Sequence, residues 1–163
     1  MKVRNKDETN IEIDFKKDLV RWSGIRYANL CNSAPSANLL AISSLTSHIL
    51  GSRKLIYGDE IITTIGNPHV INSILQVGCV PVFVDVTLST HNTIPRMVSS
   101  AITDRTKAIF LSHILGNPYD ELGIKEVAES NELWLIEDCT HAIGTQFGGE
   151  KIGTMGDLAT YCL

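Results

Sequence analysis

No stretch of this chain approaches the roughly 20 consecutive apolar residues that cross a bilayer, which speaks against a transmembrane protein. Its first ten residues are charged and polar and lack the apolar centre of a secretory leader, so a cytoplasmic location is expected. Positive charge is not in excess. Fourteen Lys and Arg face 18 Asp and Glu, a net charge of −4, and nothing in that balance favours nucleic acid or an anionic membrane as partner. Cysteine is scarce. Cys31, Cys79, Cys139 and Cys162 show no C-x-x-C spacing, and three of them follow or sit within apolar runs. They read as reduced core thiols, more readily than as a metal site. Neither G-x-G-x-x-G nor a Walker pattern occurs, so an ordinary nucleotide-binding α/β domain lacks its fingerprint. Repeats, linkers and low-complexity segments are also missing.

What is present is a regular alternation. The 163 residues, 44% hydrophobic, suit one domain of ordinary size. Residues 11–22 carry apolar side chains at helical spacing (Ile11, Phe15, Leu19, Trp22). The Asp14, Lys16, Lys17, Asp18 group reads as a solvated helix face. Residues 27–31 read as a short strand, and 35–50 as a helix with Pro35 in its first turn. Strands are expected over 60–64, 80–86, 108–115 and 133–136, with Phe83 and Phe110 in the core. Helices are expected over 68–76 (ended by Gly78), 94–102 and 120–130. Residues 147–152 hold a Gly148-Gly149 hairpin signal, and 158–163 form a last strand. The order predicts βαβ units and an α/β fold with a mainly parallel sheet flanked by helices. A parallel sheet needs both edges protected, so a chain ending inside a strand is expected to be the front part of a larger protein.

The most telling segment is Leu133-Trp134-Leu135-Ile136-Glu137-Asp138-Cys139-Thr140-His141. An apolar run bounded by charge reads as an interior parallel strand. In open α/β sheets ligands bind beyond the carboxyl ends of such strands. Asp138 would sit there, able to hold a proton on a heteroaromatic nitrogen. Equally, Glu137 and Asp138 would serve as caps of the next turn. Two further loops follow strands. Asn32-Ser33-Ala34-Pro35-Ser36-Ala37-Asn38 opens a helix, where free N–H groups favour a phosphate, or where Ser33 is a plain N-cap. Thr63-Thr64-Ile65-Gly66-Asn67-Pro68-His69 would lie over a ligand face, or form a turn. His113, at the end of its strand, either faces this site or is a satisfied structural histidine. His48, His69 and His91 read as surface residues.

From about Lys17 onward these residues resemble the DegT/DnrJ/EryC1/StrS family. The matching pieces are Asn32-Ser33 with Ser36-Ala37, Gly58-Asp59-Glu60-Ile61-Ile62, and Val80-Pro81-Val82-Phe83-Val84-Asp85-Val86. They continue with Thr106-Lys107-Ala108-Ile109, Glu137-Asp138-Cys139 with His141-Ala142, and Gly153-Thr154-Met155-Gly156-Asp157. The resemblance implies the large domain of the aspartate-aminotransferase type (fold type I), with residues 1–163 as part of it and the remainder, with the small domain, beyond. It implies pyridoxal 5′-phosphate or pyridoxamine 5′-phosphate as cofactor and a nucleotide-linked 4-keto-6-deoxy sugar as substrate. A homodimer is also implied, in deoxysugar and lipopolysaccharide O-antigen biosynthesis. Within the family, Ser36-Ala37-Asn38-Leu39-Leu40-Ala41 and Leu115-Gly116-Asn117-Pro118 look most like the 3-dehydrases; a sugar aminotransferase is the other enzyme reading, and a degenerate inactive copy the non-enzyme one.

The resemblance also assigns roles. Asp138 matches the carboxylate on the pyridine nitrogen, His141 a polar residue beside the ring, and Ala34, Pro35 and Ser36 the phosphate turn. Asn67 stands where many members place a stacking aromatic, and Cys162 where a serine usually helps to hold the phosphate. Pro35 brings no N–H to that turn. The iron–sulphur dehydrases carry two adjacent cysteines after the acidic pair. Here the second position is Thr140, which argues against such a cluster. The family's aldimine lysine, or the histidine that replaces it in the dehydrases, is expected beyond Leu163, and Lys151 is no substitute. The 163 residues alone are therefore expected to be inactive.

Overall fold

The computed structural model describes residues 6–162, and the side chains from Ile11 onward. Of the predicted strand over 158–163, Leu163 lies outside this range, and within it the strand ends at Thr160. Within it, five strands form one wholly parallel sheet: β1 (Glu60–Thr63), β2 (Val80–Phe83), β3 (Thr106–Ser112), β4 (Trp134–Asp138) and, after a small hairpin, β7 (Leu158–Thr160). Their spatial order is β2-β1-β3-β4-β7. The hairpin is β5 (Gln146–Phe147) with β6 (Glu150–Lys151). Gly148 and Gly149 both have positive φ (58° and 92°), which its tight two-residue turn requires.

Helices cover both faces. On one side α2 (Ala34–Ser44) and α3 (Pro68–Gln76) lie on Ile61, Ala108, Phe110 and Ile136. On the other, α4 (Pro95–Ser100) and α5 (Glu121–Ser130) lie on Ile62, Ile109, Leu111 and Leu135. Neighbouring residues of each strand thus serve opposite cores, the period-2 consequence of the pleat. With both faces buried, β1, β3 and β4 read as continuous apolar runs. Fully buried Phe110, Ile61, Ile62 and Ile136 each contribute about 1.5–3 kcal/mol of transfer free energy.

Four expectations are corrected. Residues 27–31 form no strand: Tyr27 is 84% exposed, and no neighbouring chain among the described residues gives them a ladder. The predicted helix 35–50 ends at Ser44, and His48–Arg53 is a separate 3₁₀ segment kinked at Gly51. Phe83 is not core. It lies on the edge strand β2 and is 48% exposed, whereas Phe110 is fully buried as expected. All four cysteines are free, but only Cys79 and Cys139 are buried; Cys31 and Cys162 are exposed. The first helix, α1 (Lys6–Ser23), begins earlier than its apolar spacing indicated, and its Asp14–Lys17 and Asp18–Arg21 pairs are solvated.

Candidate functional site

Asp138 is the last residue of β4, at the carboxyl edge of the sheet. It falls on the α2/α3 face because Trp134 and Ile136 do. It is only 1% exposed. Such a carboxylate is tolerable only among donors, and donors surround it. Ser112 Oγ donates at 2.8 Å and the Thr140 N–H at 3.0 Å. The Asn67 Nδ2 and Thr140 hydroxyl groups donate at closer range, and Thr160 Oγ1 stands 3.5 Å away. Register explains part of this. Ser112, Asp138 and Thr160 are direct neighbours across β3, β4 and β7, one polar layer where three apolar strands end.

The other loops reach the same edge. Asn67 is the N-cap of α3: its Oδ1 accepts from the His69 N–H at 2.9 Å while its amide donates to Asp138. In α2, buried Asn38 accepts the Thr160 hydroxyl at 2.6 Å, which ties the first turns of that helix to Asp138 through one intermediary. The Asn38 Nδ2 atom is buried without a partner. At the helix start, Ser33 is the N-cap, accepting from the Ser36 N–H at 3.3 Å and donating to Ser36 Oγ at 3.0 Å. The plain-cap reading of Ser33 is therefore correct, and Ser36 is held ready beside it. Ala34 and Ser36 are half-buried and Pro35 is exposed. His141, three residues beyond Asp138, is exposed, as is Cys162, two residues beyond Thr160.

Glu137 points the other way, toward α5. Its carboxylate accepts from the N–H groups of Gly153 (2.9 Å), Met155 (3.1 Å) and Gly156 (2.6 Å) and lies 3.2 Å from His113 Nε2. Burial opposes its charge, but the His113 ring and the Gly156 and Gly153 N–H groups outweigh burial and hold the carboxyl below its ordinary range. Glu137 anchors residues 153–156. Asp138 caps the following turn through the Thr140 N–H, as the capping alternative expects, and stands at the carboxyl edge of the sheet. His113 is the buried structural histidine, stacked on Tyr119 at 4.2 Å.

Sequence reasoning named Asn67 and Asp138 but missed Ser112, Thr160 and Asn38. The available signal was positional: a hydroxyl residue closes each of the two strands flanking β4. A depression of about 710 Å³ lined by Arg53, Lys125, Glu129, Leu133, Thr154 and Asp157 sits at the opposite, amino-terminal edge of the strands, away from this chemistry.

Comparison with known proteins agrees with the geometry. The chain is 50% identical over 147 residues to the dTDP-4-dehydro-2,6-dideoxy-D-glucose 3-dehydratase of Saccharopolyspora spinosa, covering 90% of this chain and 32% of that protein. It is 42% identical to the lipopolysaccharide biosynthesis protein RfbH of Salmonella typhimurium, covering 90% and 34%. Among solved structures, the E. coli GDP-4-keto-6-deoxy-D-mannose-3-dehydratase with bound hydrated PLP superimposes with a TM-score of 0.81 at 30% identity, covering 88% of this chain and 37% of that one. The chain thus spans about a third of the length of the relatives it matches. The family model of the DegT/DnrJ/EryC1/StrS aminotransferases matches residues 8–162, and the chain belongs to that family.

Proposed function

We propose that this chain supplies the cofactor bed of a vitamin-B6-phosphate enzyme acting on a nucleotide-linked 4-keto-6-deoxy sugar, in the manner of the sugar 3-dehydratases. The observation that carries the reading is Asp138, a buried carboxylate at a strand's carboxyl end, ringed by donors and tied to the first turns of α2. The residues fit pyridoxal or pyridoxamine phosphate. Asp138 would hold the ring nitrogen, Ser36 and the α2 N-terminus the phosphate, and the unpartnered Asn38 amide is a spare donor at the same junction. When bound, the cofactor supplies an electron sink for charge developing on the substrate carbon next to it. Asn67 already donates to Asp138, and a ring N–H held by the same carboxylate would share it with that amide. His141 and Cys162 remain exposed at the edge, free to border the ring and the phosphate.

The dehydratase reading is favoured over the aminotransferase one by identity: 50% to a 3-dehydratase against 32% to a GDP-perosamine synthase. A cytoplasmic homodimer is part of this reading through the family resemblance alone; no described helix is long and apolar enough to cross a membrane. Titration of the purified chain with pyridoxal 5′-phosphate, followed by absorbance, tests the reading. Saturable binding that D138N weakens at least tenfold is expected. Equal affinity of D138N and wild type would overturn it. The 163 residues are expected not to convert a nucleotide sugar unaided, since the side chains gathered around Asp138 (Asn67, Ser112, Thr140, Thr160) include no lysine, and Lys151 lies over the Trp22 ring (5.2 Å). A nucleotide 4-keto sugar consumed by the 163-residue chain would refute that.

A further inference from the structure

We propose that Glu121 keeps its proton in the core beside Glu137 and the Nε2 edge of His113, and that this proton keeps α5 and residues 153–156 locked onto β4 as a pH-sensitive latch. His113 Nε2 lies 3.2 Å from a Glu137 oxygen and 3.5 Å from a Glu121 oxygen, and all three side chains are fully buried. Hydrogen-bond accounting fixes the roles. A carboxylate offers about four acceptor sites. Three N–H groups from residues 153–156 and the His113 ring fill those of Glu137. Neither oxygen of Glu121 has any donor. A bare buried carboxylate is costly enough that the group retains its proton instead.

Among the described residues, the titratable groups that act on this cluster are acids, phenols and a thiol. Tyr119 comes from the segment before α5, Cys139 and Asp138 from the end of β4, and Tyr161 from beyond β7. Burial first, and then the Glu137 charge, push Glu121 up to about 8. Above that pH two carboxylates face one another without a proton between them. The repulsion is relieved by moving Glu121 and the start of α5 away from Glu137. The consequence reaches the ligand edge, because the His113 backbone N–H donates to the Asp138 carbonyl at 3.0 Å. That last link rests on the cofactor reading; the latch itself does not.

A metal is the rival occupant, since His113, Glu137 and Cys139 place donor atoms within 4.8 Å of one another. Against it, Glu137 is already saturated, and His113 Nδ1 has no acceptor behind it, whereas metal-bound histidines donate their second N–H. The test uses hydrogen exchange of the Gly153, Met155 and Gly156 amides between pH 6 and 10, normalised to unfolded-peptide rates, without any added cofactor. In the wild type the opening equilibrium should rise by up to about tenfold per pH unit from pH 6 toward 8 and level off above it. E121Q keeps the shape and supplies a permanent donor, and it should abolish that rise. A carbon NMR titration of Glu121 in the wild type, which needs no variant to fold, should show a midpoint near 8. A midpoint below 6, parallel loss of protection in both proteins, or a stoichiometric transition metal in the purified chain would each overturn the latch. Failure to bind pyridoxal phosphate would leave it standing.

Discussion

At the scale of single residues, the pair Glu137-Asp138 shows how a strand divides labour. Adjacent positions point to opposite faces, so one acid serves the α5 side and the other the α2 side. The close fit on the Glu137 side is sensitive to one methyl group. A Cβ at Gly156 would stand 2.8 Å from the Leu135 carbonyl and 3.1 Å from Glu137 Oε1. G156A should therefore cost about 1–3 kcal/mol, read as a lowered denaturation midpoint at unchanged m-value. At the candidate phosphate turn the missing group is a backbone N–H. Because Pro35 is exposed in the first turn of α2, P35S should fold normally and tighten pyridoxal phosphate binding on the order of tenfold. Unchanged affinity would place the phosphate elsewhere.

At the scale of elements, caps and partners decide what apolar pattern alone leaves open. α2 is held at its start by Ser33, and S33A should cost roughly 1 kcal/mol, or about 2–4 °C in melting temperature for a domain of this size. An unchanged midpoint would show that packing against α3 alone fixes that end. The strands predicted over 60–64, 108–115 and 133–136 were legible because buried parallel strands are uninterrupted apolar runs, although β3 stops at Ser112 and the predicted 80–86 forms a strand only over Val80–Phe83. Residues 27–31 carry a similar pattern yet stay outside the sheet, since a strand is stable only with a ladder partner. β2 explains the misplaced Phe83: an edge strand buries less than its sequence suggests, and Val80 is likewise 42% exposed.

At the scale of the whole molecule, buried acids set opposite pH limits. Glu137 and Glu60 are held below the ordinary 4.5 in the fold; for Glu60 the Thr103 hydroxyl and Arg105 prevail over burial. Their stabilisation is present above pH 4.5 and is lost as pH falls through their lowered values. Glu121 is raised to about 8, so its contribution is full below 4.5 and disappears as pH climbs to 8, about 1.4 kcal/mol per unit within that window. Melting temperature should thus peak near pH 5, and E121Q should flatten the alkaline arm while leaving the acid one. An identical alkaline slope in both proteins would remove Glu121 as its cause. The sequence by itself determined the α/β alternation, the parallel sheet, the family and the place of Asp138 at a strand's end. Those are local matters of periodicity, punctuation and motif. Only the tertiary structure decided that Asn67, 71 positions away, donates to Asp138. It also decided that Ser112 and Thr160 flank Asp138 in register, and that Glu121 meets Glu137 in the core. The reason is physical: strand register and helix docking are fixed by which faces bury together, and no single segment carries that information.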